Sequence, residues 1–258
     1  MRAVRLHSPS GPAGLAIDEI GVPEPGRGEV LVRVHAAAIT RDELDWPVDR
    51  LPAIPSYELS GVVEAIGPGV ADVAVGDDVY ALTGFDRDGV AAELAVVRAA
   101  VLAPKPARLG HVEAAAMTLA ALSAWQGLVE HGRLREGERV LVTGGAGGVG
   151  HFATQLARAR GAQVVESEPD LVFDTAGGDA LAGHGDARIV SVAEEAPGVT
   201  YFIVEPSREQ LVELAQLADS GKLEVAVDSV FPLAEARAAF ERVAARGKRG
   251  KVVLQVVS

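Results

Sequence analysis

The stretch Arg139-Val140-Leu141-Val142-Thr143-Gly144-Gly145-Ala146-Gly147-Gly148-Val149-Gly150 decides the fold. Residues 140–142 are a short apolar, β-branched run of the kind that forms a buried strand. Gly145, Gly147 and Gly150 follow at G-x-G-x-x-G spacing, and residues 149–160 read as a helix with Val149, Phe152, Ala153 and Leu156 on its apolar side. Strand, glycine loop and helix in this order make a dinucleotide-binding βαβ unit. The first glycine makes the tight turn, the second lets a diphosphate approach the backbone, and the third lets helix and strand pack closely. The helix start then offers unpaired N–H groups and the positive end of its dipole. Gly145, Ala146, Gly147, Gly148, Val149 and Gly150 are therefore the candidate cofactor-binding residues.

Working outward, residues 3–6, 16–20, 29–37, 61–66 and 78–80 are short strand-like runs separated by Pro and Gly, which reads as a small barrel or sandwich. Residues 112–131 read as a helix leading to the glycine loop. Beyond the loop come strands at 171–175, 188–192, 200–204 and 223–227, helices at 209–219 and 233–245, and a last strand at 251–256 that can return to the first domain. The domain boundary falls near residue 108. A β-rich unit of 1–108 plus 229–258 thus flanks an α/β unit of 109–228.

Composition narrows the function classes. A net charge of −12 argues against nucleic acid or an anionic membrane as main partner. The one basic cluster, Arg246, Lys248, Arg249 and Lys251, reads as a solvated turn before the last strand, or else as an anion site. With no cysteine, disulfides and thiolate zinc sites are excluded. The histidines show no metal-ligand spacing, and His151 on the helix start reads as a surface or pocket-edge residue. The amino terminus has no signal-peptide core and no apolar run approaches a membrane span of about 20 residues, so a cytoplasmic protein is expected.

Several motifs occur together in order: PGRGEVLVRV at 25–34, YELSGVV at 57–63, VGDDVY at 75–80, AALSAW at 120–125, the glycine loop, FDTAGG at 173–178 and RGKVVL at 249–254. In these the chain resembles the zinc-free, quinone oxidoreductase-like branch of the medium-chain dehydrogenase/reductases, nearly end to end. The resemblance implies a GroES-like β-barrel domain and a Rossmann-type parallel-sheet domain, with a cleft between them where NADPH reduces an activated C=C or a quinone. It also implies a homodimer through edge strands, here residues 200–204. The positions matched to the zinc ligands of the metal-dependent relatives are Thr40, Tyr57 and Leu119, a set that cannot replace thiolates, so no metal is expected.

One segment departs from the family. Residues 163–165 look like the second Rossmann strand, but only Glu166-Ser167-Glu168-Pro169-Asp170 separates them from the strand at 171–175. Some 30 residues of helix and third strand, which bind the adenosine in the family, are missing. A parallel crossover needs about a dozen residues, whereas five extended ones reach about 17 Å. Either the second strand is lost or displaced, or its connection has been rebuilt. Glu168 matches by spacing the acid that bonds the cofactor ribose, with Glu166 as substitute; both also read as solvated linker carboxylates. Carboxylates there disfavour a 2′-phosphate, so NADH is at least as suitable as NADPH.

Two enzyme functions follow: an NAD(P)H-dependent enone or quinone reductase, and a cofactor-free cyclase, isomerase or lyase using the same cleft on a polyketide-like metabolite. A non-catalytic binding protein is the third reading. By position in the family, the cleft takes Thr40, Asp42, Trp46, Tyr57 and Phe85. Tyr57 is either a proton or hydrogen-bond donor or a packed tyrosine, and Asp42 a general base or a helix N-cap. Thr40 bonds either a substrate oxygen or its own backbone; Trp46 and Phe85 are cleft walls or core. Under the reductase reading, a bulky residue in place of Gly147 abolishes turnover by blocking the diphosphate; unchanged turnover in that variant counts against it.

Overall fold

Fourteen strands and four α-helices are present in a computed structural model that describes residues 1–245 and 247–257; Arg246, one of the four basic residues above, lies outside them. In chain order they are β1 (Arg2–Leu6), β2 (Leu15–Glu19), β3 (Glu29–Ile39), β4 (Glu58–Ile66), β5 (Asp78–Leu82), β6 (Leu94–Arg98), β7 (Ala103–Pro104) and α1 (His111–Trp125). There follow β8 (Arg139–Val142), α2 (Gly148–Ala159), β9 (Gln163–Val164), β10 (Leu171–Asp174), β11 (Arg188–Ser191), β12 (Val199–Tyr201) and α3 (Arg208–Asp219). The chain closes with β13 (Val227–Pro232), α4 (Ala236–Ala244) and β14 (Lys251–Gln255).

β3 is buried along most of its eleven residues, because it is paired on both edges and covered on both faces. It pairs with β4, β6 and β14 in a seven-stranded sheet. The last strand does return to the first domain, with Val252 opposite Ile39 and Gln255 opposite Ala36. The strand expected at 223–227 lies instead at Val227–Pro232, parallel to β14. Residues before it are tied to α2, Glu224 N donating to Gln155 Oε1 at 2.8 Å, and meet the start of β14 at Ala226, whose carbonyl accepts from Lys251 N at 3.0 Å.

The second sheet is wholly parallel, in the order β12-β11-β10-β8-β9. The second Rossmann strand therefore survives at the sheet edge, and the rebuilt connection is the alternative the chain adopts. Two strand spacings, roughly 10 Å, separate β9 from β10, well within reach of the linker. Val140 and Val142 pack with α2, so Arg139 and Leu141 project from the opposite face. A return in the opposite direction stays right-handed only on that opposite face. The Arg139 guanidinium marks the path, donating to Ser167 O at 2.9 Å and to Glu168 at 3.2 Å. The next connection is also short, a single 3₁₀ turn at Gly178–Leu181.

α1 has no polar face: residues 114–125 are all buried, because the helix lies between both sheets and packs on α2 and α3. Its apolar length, with the π-helical turn that continues it to His131, would suffice to cross a membrane, yet 83% of that window is inside the fold. Gly127 in that turn is required by packing, since a Cβ there would meet the Phe173 ring at 2.2 Å. Across the domains, Tyr80 OH donates to Leu211 O at 2.5 Å and Arg108 N to Asp219 at 2.9 Å.

The start of α1 docks on the β-domain through two histidines, His35 and His111, whose rings lie 4.3 Å apart. Burial, then the neighbouring His35, pushes His111 down to about 4; Asp78 opposes this and Lys105 adds to it. His35 is lowered as well, by burial and Arg33. Both rings are neutral in the fold at pH 7, whereas the unfolded chain protonates them below about 6.5. The unfolded state then binds more protons, so stability falls as pH drops from about 6.5 towards 4. Urea unfolding of His111→Asn should lack part of this loss, a difference on the order of 1–3 kcal/mol at the acid end.

Candidate functional site

The glycine loop leaves the carboxyl end of β8 and turns at Gly144, which is held at φ +65°. Beneath it, Asp174 fixes the neighbouring strand ends. Its buried carboxylate accepts bonds from the Thr143 and Ser191 hydroxyls and from the N–H groups of Ala176 and Gly177. Burial works to raise this carboxyl, and the hydrogen bonds outweigh it and hold it below its ordinary range.

The three motif glycines are needed for different reasons. At Gly150 a Cβ would lie 2.3 Å from Gly144 O, so this glycine is imposed by helix–loop packing. At Gly147 it would come to 3.2 Å from the same oxygen. At Gly145 nothing lies closer than 3.7 Å and φ is not positive, so the fold leaves this position open. Gly144, Gly145 and Ala146 are exposed, α2 has no side-chain cap, and the N–H groups of Gly145, Ala146 and Val149 have no partner among the described residues. Exposed, unpartnered N–H donors at a helix start fit a diphosphate.

The loop also touches the β-domain. Gly147 pairs with Gly250, and a Cβ on Gly148 would lie 3.0 Å from Lys251 Cδ. Lys251 is not the solvated turn residue its sequence setting implied: its stem runs beside the loop and its ammonium is buried, 2.6 Å from Glu58 Oε1. It also donates to Thr40 Oγ1 at 2.9 Å, and Thr40 donates to Glu58 at 3.0 Å. Leu119 N and the Thr118 hydroxyl reach the other Glu58 oxygen at 3.3 and 3.4 Å. Lys248 is half-buried, and burial followed by Arg41 and Arg242 lowers it. Of the basic cluster, Lys251 borders the glycine loop.

Thr40 is half-buried and belongs to this network. Asp42 is exposed and caps nothing with its side chain, although it occupies the N-cap position of the 3₁₀ turn Glu43–Asp45. Its neighbour Glu43 is fully buried and accepts from Thr40 N at 2.9 Å and Ser56 N at 3.0 Å. Burial pushes Glu43 up to about 8, against the Thr40 N–H and with the help of Glu58. Tyr57 is fully buried against Trp46 and Phe85, with ring centroids 5.6 and 5.2 Å away. Its hydroxyl accepts from Arg50 at 3.1 Å, and burial raises its pKa while Arg50 opposes this. Trp46 and Phe85 are half-buried.

Glu168 is not brought to the glycine loop. It pairs with Arg139, the first residue of β8, whereas the loop follows the last; its side chain is 83% exposed. The short crossover turns back before the strand can carry an acid to the loop, so Glu168 is a linker carboxylate. His151 lies 2.8 Å from Glu224 O and is occupied there. Sequence reading missed Glu43, Glu58, Lys251 and Arg50. Two of them stood inside quoted motifs, YELSGVV and RGKVVL, but only the fold shows that these meet.

Residues 26–107 match a family described as alcohol dehydrogenase GroES-like domain, and residues 149–254 match one described as zinc-binding dehydrogenase. A probable zinc-binding mitochondrial oxidoreductase of Arthroderma benhamiae is 30% identical over 321 aligned positions, covering 99% of this chain and 97% of that protein. The chain belongs to the medium-chain dehydrogenase/reductase family. With 321 positions aligned against 258 residues, at least 63 have no counterpart in this chain. The quinone oxidoreductase of Coxiella burnetii superposes with a TM-score of 0.91 at 26% identity, covering 100% of this chain and 99% of the other. A structure described as an NAD-dependent alcohol dehydrogenase gives 0.88 at 28%, with both chains fully covered. The family fold and a general oxidoreductase character are thereby established.

The donor set does not suit zinc. At the three matched positions, Thr40 is bonded to an ammonium, the Tyr57 hydroxyl is turned to Arg50 and Leu119 offers no side-chain donor. The Lys251 cation already sits between the Thr40 and Glu58 oxygens. Lys251→Met leaves the Glu58 carboxylate buried and unpaired, which should cost about 3–5 kcal/mol in urea unfolding. Adding Glu58→Gln to that variant should recover part of the loss.

Proposed function

We propose that this medium-chain reductase uses a reduced nicotinamide nucleotide to reduce an activated C=C or a quinone without a metal. The observation that carries the reading is the contact of the glycine loop with Gly250 and Lys251, which sets open phosphate-binding N–H groups beside the Thr40–Lys251–Glu58 network. The resemblance to quinone oxidoreductases supports the substrate class.

The N–H groups of Gly145, Ala146 and Val149 would hold the diphosphate. The bound nicotinamide supplies hydride. Thr40 Oγ1 accepts from the Lys251 ammonium at 2.9 Å and gives its proton to Glu58 at 3.0 Å, so it would donate to a substrate carbonyl oxygen by turning that proton away from Glu58. Trp46 and Phe85 supply apolar walls. The balancing proton is taken from solvent. The exposed Tyr201 and Ile203 at the free β12 edge fit the dimer contact of the family.

The rebuilt crossover favours the second reading, cofactor-free chemistry in the same cleft, because it removes the usual adenosine contacts. Titration with NADH and NADPH, followed by nicotinamide fluorescence and calorimetry, separates the two. Affinity in the range of about 1–100 μM supports the reductase, and Gly145→Val should abolish binding with an unchanged melting curve. No binding of either nucleotide at millimolar concentration overturns it.

A further inference from the structure

We infer that the nucleotide site holds only the nicotinamide ribose and diphosphate, and leaves the adenosine in solvent. This rests on the reductase reading and narrows it: the protein does not distinguish NADH from NADPH or from a dinucleotide carrying another base.

The two halves of the site are unequal. The phosphate half is present, with an open Gly145, an uncapped α2 and loop N–H groups that have no partner among the described residues. The adenosine half lacks its parts. A dinucleotide site needs an acidic residue at the carboxyl end of the second strand to take the ribose hydroxyls. Here β9 is two residues long and is the last strand of the sheet. Past Val165, whose N–H still bonds Val140 O, the chain crosses the opposite face towards the start of β8. Glu168 is committed to Arg139 there, and Asp170 accepts from Arg139 N at 2.8 Å. Glu166 is exposed on the way.

Among the described residues no strand lies beyond β9 in the sheet to wall an adenine, and at least 63 aligned positions of the fungal relative have no counterpart. An adenosine bound beside such an edge keeps its hydration and gains little. Affinity then comes from the fixed phosphate donors and the nicotinamide pocket, which every reduced nicotinamide dinucleotide shares.

Saturation-transfer NMR on the intact protein with NADH tests this directly. Saturation should reach the nicotinamide protons and not adenine H2 or H8; equal transfer to both rings overturns the inference. Calorimetry with NADH, NADPH and reduced nicotinamide hypoxanthine dinucleotide should give dissociation constants within about fivefold of each other. AMP should not displace NADH, and Glu166→Ala and Glu168→Ala should leave its affinity unchanged. A preference above about fivefold, displacement by AMP, or a matching loss in either variant refutes the inference while the reductase reading stands. Failure of all three dinucleotides to bind at millimolar concentration overturns that reading as well.

Discussion

The buried ion pair between Glu58 and Lys251 is the constraint on which the site depends. Taking both charges out of water is costly, and the pair is stable only because its remaining atoms also find partners in Thr40, Thr118 and the amide of Leu119. Those partners come from the end of β3, from α1 and from β14. One side chain on β4 thereby joins the returning carboxyl-terminal strand to the linking helix. Because Lys251 follows Gly250, the same pair fixes the segment on which the glycine loop rests.

The short connection after β9 is accommodated separately from that pair. Removing a helix, a strand and their connections from a parallel sheet would ordinarily break it. Here the second strand remains because it pairs with β8, and the return path needs only to cross one strand on the face opposite α2. Arg139 satisfies the carbonyl of Ser167 and the Glu168 carboxylate, so the crossing segment keeps its polar groups paired without helical structure. The proposed phosphate site is indifferent to this change. The glycine loop is held from below by Asp174 and from the side by Gly250, and neither contact involves the deleted part.

Much of the fold was legible because strands and helices here carry strong local patterns. β8, the glycine loop and α2 stand within a residue or so of where the sequence places them, and β14 joins the first domain. Where reading failed, pairing decided. Residues 223–226 look like a strand but join no ladder among the described residues; Ala226 O accepts from Lys251 N, and the paired strand begins at Val227. Of the site, Thr40 and the loop residues could be named from position, but Asp42 was taken where its buried neighbour Glu43 holds the turn. Burial is a property of the packed structure: nothing in the order Arg41-Asp42-Glu43 says which acid faces inward.

The sequence by itself determined the family, the order of the two domains, the glycine loop and the lack of chain for a third strand, because each is a matter of local pattern or length. It could not decide between a lost strand and a rebuilt connection, since reach alone permits both. Only the tertiary structure showed which face the crossing takes, and so that Glu168 ends at the wrong end of β8 to meet a ribose. Only it brought Lys251 in from a basic-looking turn to a carboxylate 193 residues away. Such long-range pairs are set by which surfaces the fold removes from water, and that is written in no single stretch of the chain.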